Sequence, residues 1–390
     1  MVKTMKEIPL SVPNLNIDIL ENLRECIKTG WVSTGGRFIT EFEQKLAKYV
    51  SVSDAVSVQS GTAGLHLSLI AAGTLAGDEV VVPALTFIAA VNPVRYVGAE
   101  PVFMDCDDSL CMDAAKLEKF FVSSCTQTEN GLTNNLTKKK ISAIIVVHVF
   151  GNMANMERIM DVAKKYNLPV IEDATETLGT YYASGRYKGK FAGTIGDFGV
   201  YSFNANKIIT TGGGGMVVAK NQKQLDEIRY LSITAKDDAL YFVHDEVGYN
   251  YRMLNIQAAL GVSQIDELEK FIEIKKKNYE RYKELLAGKP GIEILPFVPE
   301  VRPNYWFYSI LMDSSKFGLS RDELMKKLLD ANVQCRPVWK LINTQKPYLH
   351  SQSVDVVNAK KYEQNILNVP CSTNLNDEQI KYICDIITAV

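Results

Sequence analysis

The sequence predicts an α/β protein with a mainly parallel sheet between helices. Two observations carry that prediction. Short apolar runs rich in Val and Ile recur between residues 55 and 219, near-continuous rather than alternating, as in strands covered on both faces. Runs with helical spacing separate them, and a βαβα order belongs to a parallel sheet with crossover helices. After residue 219 the rhythm changes, which predicts a second, smaller α+β domain. The expected division is 1–265 for the large domain and 266–390 for the small one.

The elements follow in order. Residues 13–29 form an amphipathic helix with Ile17, Leu20, Leu23 and Ile27 on one face, ended by Gly30. A loop, 31–36, leads to a second helix over 38–49. Residues 55–58 are a strand, and Ser60-Gly61-Thr62-Ala63-Gly64 turns into a helix over 65–72. Strand 79–85 precedes helix 86–97, and strand 101–105 precedes helix 114–121. The polar run 123–140 is a surface insertion. Strand 141–150, helix 153–166 and strand 168–174 complete the series, with strands 198–203 and 216–219 beyond it. Helix 225–231, a polar stretch 234–248 and a long helical stretch 255–286 come next. Strands 308–312 and 333–336 and helices 321–329 and 377–387 make up the remainder.

Composition excludes several classes. The 390 residues are 46% apolar and 23% charged with a net charge of -2, an ordinary globular balance. Lys and Arg are scattered, so no nucleic-acid-binding face is expected. No apolar run is long enough for a membrane span, and the opening residues lack the apolar core of a signal peptide. Seven dispersed cysteines without CxxC or zinc spacing read as reduced thiols of a cytoplasmic protein, with no metal expected.

Five places carry candidate chemistry. Lys207 follows the apolar run 198–203 and precedes four glycines, Gly212 to Gly215. Such a lysine is either a solvated loop residue or an amine that desolvation prepares for Schiff-base chemistry. Ser60-Gly61-Thr62-Ala63 opens a helix after a strand, which makes either a plain N-cap or an anion site. Glu172 and Asp173 end an apolar strand, where α/β sheets bind ligands. Asp173 there either caps a turn, binds a metal or pairs with a protonated pyridine. Phe87 is a core aromatic or a platform for a flat ring, and Ser202 lies at a strand end within reach of a phosphate.

Together and in order, these segments carry a resemblance. SGTAGLHL, VPALTFIAAVNPVRYVGAEPVFMD, VHVFG, VIEDATETLG, IGDFGVYSFNANKIITTGGGGM and GYNYRMLNIQAALG resemble the DegT/StrS-type sugar aminotransferases. These are pyridoxal phosphate (PLP) enzymes of the fold type I, aspartate-aminotransferase architecture. The resemblance implies that Lys207 forms the Schiff base with PLP and moves the proton. Asp173 would pair with the pyridinium nitrogen, and Thr62, Ala63 and Ser202 would bind the phosphate. Phe87 would stack on the ring, and Asn250 would reach the phosphate of a neighbouring subunit in a homodimer. Glu176 stands where relatives carry Gln or His against the ring, and a carboxylate there only accepts hydrogen bonds. It therefore either holds a proton or turns to another donor.

IPLSVPNL, TGWVSTGG and EDATETLGT also resemble the branch that makes 4-amino-4,6-dideoxy sugars for bacterial surface glycans, as in legionaminic acid and bacillosamine synthesis. That implies glutamate as donor and a nucleotide-linked 4-keto-6-deoxyhexose as acceptor, UDP-linked and 2-acetamido. Trp31, Arg336 and Trp339 are the expected sugar-nucleotide contacts. The alternatives are a sugar 3-aminotransferase, a GDP-perosamine-type synthase, or a non-catalytic PLP-binding regulatory protein.

Overall fold

The computed structural model describes residues 6–15 and 19–389. Its large sheet runs in the order Val56–Val58, Gly215–Ala219, Phe198–Ser202, Val170–Asp173, Lys140–Val147, Glu79–Pro83, Glu100–Met104 and Ser353–Val354. Along this path only Gly215–Ala219 runs against the others. The parallel strands therefore present their carboxyl ends along one edge, where such sheets bind ligands. Their residues are almost all buried, as their unbroken apolar runs require.

Helix Gly61–Ala71 is apolar on every side and buried, so it lies inside the molecule rather than on its surface. Gly64 lets it press onto the sheet: a Cβ there would stand 2.8 Å from Val200 Cγ1. The helix begins four residues earlier than the sequence pattern implies, because Ser60 caps it by accepting the Ala63 N–H at 3.0 Å.

Beyond this sheet, Ile292–Ile294, Tyr308–Met312, Ile366–Val369 and Arg336–Pro337 form a four-stranded antiparallel sheet. Helices Leu268–Leu286, Arg321–Asp330 and Asp377–Thr388 accompany it. Ser353–Val354 nevertheless returns to the large sheet, and Ile8 bridges to Val333.

Several expected elements differ. The helix expected over 86–97 is a loop, a 3-10 turn at Ile88–Ala90 and a short helix Asn92–Tyr96. Pro93 fits only in a first helical turn and divides the run. The polar run 123–140 is still an insertion, but it folds as a hairpin, Cys125–Thr128 with Gly131–Asn134. Gly131, at φ 111, makes the turn, and Leu132 pairs with Ile141 to join the sheet. The stretch 255–286 is two helices, Asn255–Ile265 and Leu268–Leu286. Of 333–336, only Arg336 is in a strand. The first helix is Ile19–Thr29, and of its expected apolar face only Leu23 packs against the core. Ile19 and Cys26 are buried, whereas Leu20 and Ile27 are 51% and 70% exposed. Ile17 lies outside the described residues.

The strand Phe198–Ser202 depends on one small residue. A Cβ on Gly199 would stand 1.8 Å from the Gly193 carbonyl oxygen, which is backbone and cannot swing aside. Gly199→Ala is expected to destabilise the protein by about 3 kcal/mol, read as a lowered midpoint in urea unfolding. A midpoint equal to that of the parent would contradict this packing.

Candidate active site

The strand ends and the reversed strand build one cavity of ≈ 400 Å³. Register aligns Val147, Asp173 and Val200 across three parallel strands. It also aligns Val58, Gly215 and Ser202 across the reversed one. Gly215 is the close approach that makes this possible, since a Cβ there would stand 2.6 Å from the Ser60 carbonyl carbon and 2.7 Å from the Gly61 nitrogen. The amino end of helix Gly61–Ala71 therefore opens beside Ser202 and Gly214, and all three places line the cavity.

At that helix end, the first-turn N–H groups of Gly61 and Thr62 have no intrahelical acceptor. The Ala63 N–H does have one, the Ser60 hydroxyl. N–H groups, helix dipole and the hydroxyls of Thr62 and Ser202 together make an anion site.

Lys207 sits on a loop closed at its neck. Phe203 donates to Gly214 and accepts from Thr211, each at 2.9 Å, and Phe203 packs 4.9 Å from Phe42. Gln264 accepts the Thr210 N–H at 3.0 Å and holds the far side of the loop. Lys207 Nζ lies 3.7 Å from Glu176 Oε1 and 4.1 Å from the centre of the Trp306 ring. Burial lowers its pKa, against the opposing charges of Glu176 and Asp173.

Two adjacent carboxylates end strand Val170–Asp173, and strand alternation sends them to opposite faces. Glu172 is fully buried. It accepts from Gly193 N–H at 2.9 Å, from Ile195 N–H at 2.6 Å, from Gly196 N–H, and from His148 Nε2 at 2.8 Å. His148 Nδ1 accepts the Ala154 N–H, so its proton is on Nε2. Burial alone would raise the Glu172 pKa, but these donors outweigh it and hold it low. Asp173 lines the cavity instead. Its Oδ1 accepts the Thr175 N–H at 3.1 Å, and burial pushes its pKa up.

Glu176, 5% exposed, reaches into the cavity with its Oε2 on the Phe150 N–H at 2.8 Å. Burial raises its pKa to about 7, with Lys207 pulling the other way. Phe150 holds a left-handed backbone, φ 55 and ψ 26, to aim that N–H. This costs a non-glycine residue roughly 1–2 kcal/mol. Its ring lies 4.6 Å from Trp339 and 5.5 Å from Phe307, which holds it there.

The structure thus brings Thr62, Phe87, Asp173, Glu176, Ser202, Lys207 and Trp339 to one cavity. Ala63 does not line it. Asn250 is exposed and does not line the cavity of its own chain, nor do Trp31 and Arg336. Arg336 donates to its own neighbour, the Cys335 carbonyl. Sequence reasoning missed Trp306 and Phe150. Trp306 is set by its Nε1–H, which donates to the Asn206 carbonyl at 2.8 Å, beside the lysine. Asn304, fully buried, ties its segment to the carbonyls of Glu176 and Leu178. The Pro303-Asn304-Tyr305-Trp306 run, irregular and rich in groups that need partners, was the available signal.

An anion site, a buried carboxylate, an amine of lowered basicity and a flat aromatic wall are the parts a phosphate-bearing pyridine aldehyde needs. Together with the α/β fold they define the class of fold type I PLP-dependent aminotransferases. The chain belongs to the DegT/DnrJ/EryC1/StrS aminotransferase family, whose model matches residues 13–388, and with it to the PLP-dependent sugar aminotransferases. It is 36% identical over 385 residues to a GDP-perosamine synthase of Escherichia coli O157:H7, covering 98% of each chain. Its fold matches DesI, solved in the presence of its TDP-sugar product, with a TM-score of 0.87 and 26% identity over 99% of this chain and 93% of that one. Spr1654 of Streptococcus pneumoniae, solved in a PLP form, matches with a TM-score of 0.87 and 25% identity over 98% of each chain. Among the described residues, no helix is long and apolar enough to cross a membrane.

The two carboxylates should respond differently to loss of charge. Glu172→Gln turns an amide toward N–H donors and is expected to cost roughly 3–5 kcal/mol of stability. Asp173→Asn, which relieves a buried charge, should cost less than about 1 kcal/mol. Urea unfolding of both variants checks this, and equal losses would contradict it.

Proposed function

We propose that the protein transfers the amino group of glutamate to the C4 ketone of a nucleotide-linked 4-keto-6-deoxyhexose. The observation that carries this reading is the convergence of Lys207, Asp173 and the amino end of helix Gly61–Ala71 on one cavity. The N–H groups of that helix end, with the Thr62 and Ser202 hydroxyls, would hold the phosphate of PLP. Asp173 would pair with its pyridinium nitrogen, and Phe87, which lines the same cavity, would stack on its ring. When bound, PLP supplies an aldehyde for the amine and a cationic ring that draws electrons from the reacting carbon.

Lys207 does the proton work. Burial lowers its basicity, and as a free amine it takes the proton from Cα of the donor. Later the ammonium delivers a proton to C4 of the sugar. Asp173 is costly as a buried anion, and a cationic ring nitrogen beside it offsets that cost. Trp306 and Trp339 line the same cavity.

The acceptor's nucleotide has two readings. The branch motifs favour a UDP-linked 2-acetamido sugar. Similarity to a GDP-perosamine synthase over 98% of each chain favours a GDP-linked one. Both lead to an amino sugar for surface polysaccharide. The active unit is a homodimer in which Asn250 reaches the partner's cavity. Supporting this, Asn250 is exposed, and Leu240, Tyr241 and Phe242 nearby in the chain are 75%, 76% and 72% exposed. The described cysteines are all free and buried, which supports a reducing, cytoplasmic setting.

One spectroscopic experiment tests the reading. Glutamate should abolish the visible absorbance of the PLP-loaded protein, and the correct 4-keto-6-deoxy sugar nucleotide should restore it. A panel of UDP-, GDP- and dTDP-linked sugars names the acceptor. Turnover per subunit should fall on dilution into the monomer range. Cofactor that binds but ignores glutamate would contradict a transaminase and favour a regulatory protein.

A further inference from the structure

Lys207 does not stand alone in the cavity. Its side chain is 13% exposed, and its Nζ lies 3.7 Å from the Glu176 carboxylate and 4.1 Å from the centre of the Trp306 ring. Both favour a cation there, the carboxylate by charge and the ring by its negative face. At 3.7 Å the ion pair is longer than a hydrogen bond, so a small rotation of either side chain closes or opens it.

Glu176 is built to hold that place. One of its oxygens is fixed by the Phe150 N–H, which leaves the other turned to the lysine. Its backbone carbonyl is fixed by Asn304. The remaining titratable groups around the pair are Asp173, which repels the carboxylate and attracts the amine, and the buried Cys111 thiol, whose ionisation Glu176 opposes. His148 nearby spends its donor on Glu172. Among these described groups, Lys207 is the cation facing Glu176.

We propose that Glu176 is the built-in counter-ion of Lys207, a positioning residue that keeps the ε-amine in the cavity and shares one proton with it. Transfer from Nζ to Oε1 breaks one N–H bond and forms one O–H bond, and the net charge of the pair is unchanged. In one form the pair is ammonium and carboxylate, in the other free amine and carboxylic acid. Burial favours the neutral form and Coulomb attraction the charged one. Burial raises the acid to about 7 and lowers the amine, so the two forms approach each other in energy. A Gln at 176 could still accept the Phe150 N–H but could not take the proton.

The pairing matters to function only if Lys207 is the reacting amine, as read above, but it is measured without cofactor. The apoprotein is methylated with formaldehyde and cyanoborohydride across a pH series, and modification of Lys207 is followed by peptide mass spectrometry. The wild-type midpoint should lie below the value of about 10.4 for free lysine. Removing the carboxylate removes the attraction that holds the proton on nitrogen, so Glu176→Gln should lower the midpoint by roughly one to three units. Glu176→Asp, which keeps a carboxylate, should fall between the two. If the amide variant does not fold, Glu176→Ala is read the same way. An unchanged midpoint in Glu176→Gln, or an aspartate variant no different from it, overturns the proposal. A protein that shows the shift yet ignores glutamate would overturn the transaminase reading and leave the pair standing.

Discussion

The site depends on the close approach of two backbones, Gly215 in the one reversed strand and Ser60-Gly61 at the start of a buried helix. No side chain fits between them. Because they touch, the N–H groups of the helix end open beside Ser202. The reversed strand is also what returns the chain from the lysine loop, with Phe203 and Gly214 closing the neck. Widening that contact would move the anion site and the lysine apart together. The glycine run is therefore a geometric requirement with differentiated members. Gly212 and Gly214 supply positive φ, and Gly215 supplies the contact.

A second constraint is the segregation of charge at the end of one strand. Glu172 and Asp173 are neighbours in sequence, but alternation gives them opposite tasks. Glu172 is satisfied by three backbone N–H groups and a histidine, and it welds the sheet to the loop over residues 193–196. Asp173 keeps few partners and lines the cavity. A buried carboxylate so sparsely satisfied is unfavourable without a cation. That is the physical reason to expect a cationic ligand atom there in this aminotransferase family.

Much of the architecture was legible in the sequence because it is local. Apolar strands, their ends and the glycine turn are read from neighbours in the chain, so Asp173, Ser202, Lys207 and the helix end at Thr62 were placed at strand ends in advance. What was not legible is non-local. Trp306 lies roughly a hundred residues beyond Lys207 in a run with no strong period, and only folding sets its ring on the amine. Phe150 adopts a left-handed backbone that no pattern announces. Glu176 stood out as a departure from its relatives, but its partners, Lys207 and the Phe150 N–H, needed coordinates. The first helix misled because its expected apolar face does not pack inward as one: Leu23 packs against the core, whereas Leu20 and Ile27 face outward. Trp31 and Arg336, expected as sugar-nucleotide contacts, do not line the cavity of their own chain.

The central claim is that Lys207 is the amine that holds PLP. The most direct measurement is borohydride reduction of the PLP-loaded protein, followed by peptide mapping of the fixed cofactor. The account predicts label on Lys207 alone, and a Lys207→Ala protein that takes up cofactor reversibly but carries no label after reduction. Label on Lys188 or Lys190, or persistent labelling of the Lys207→Ala protein, would contradict it.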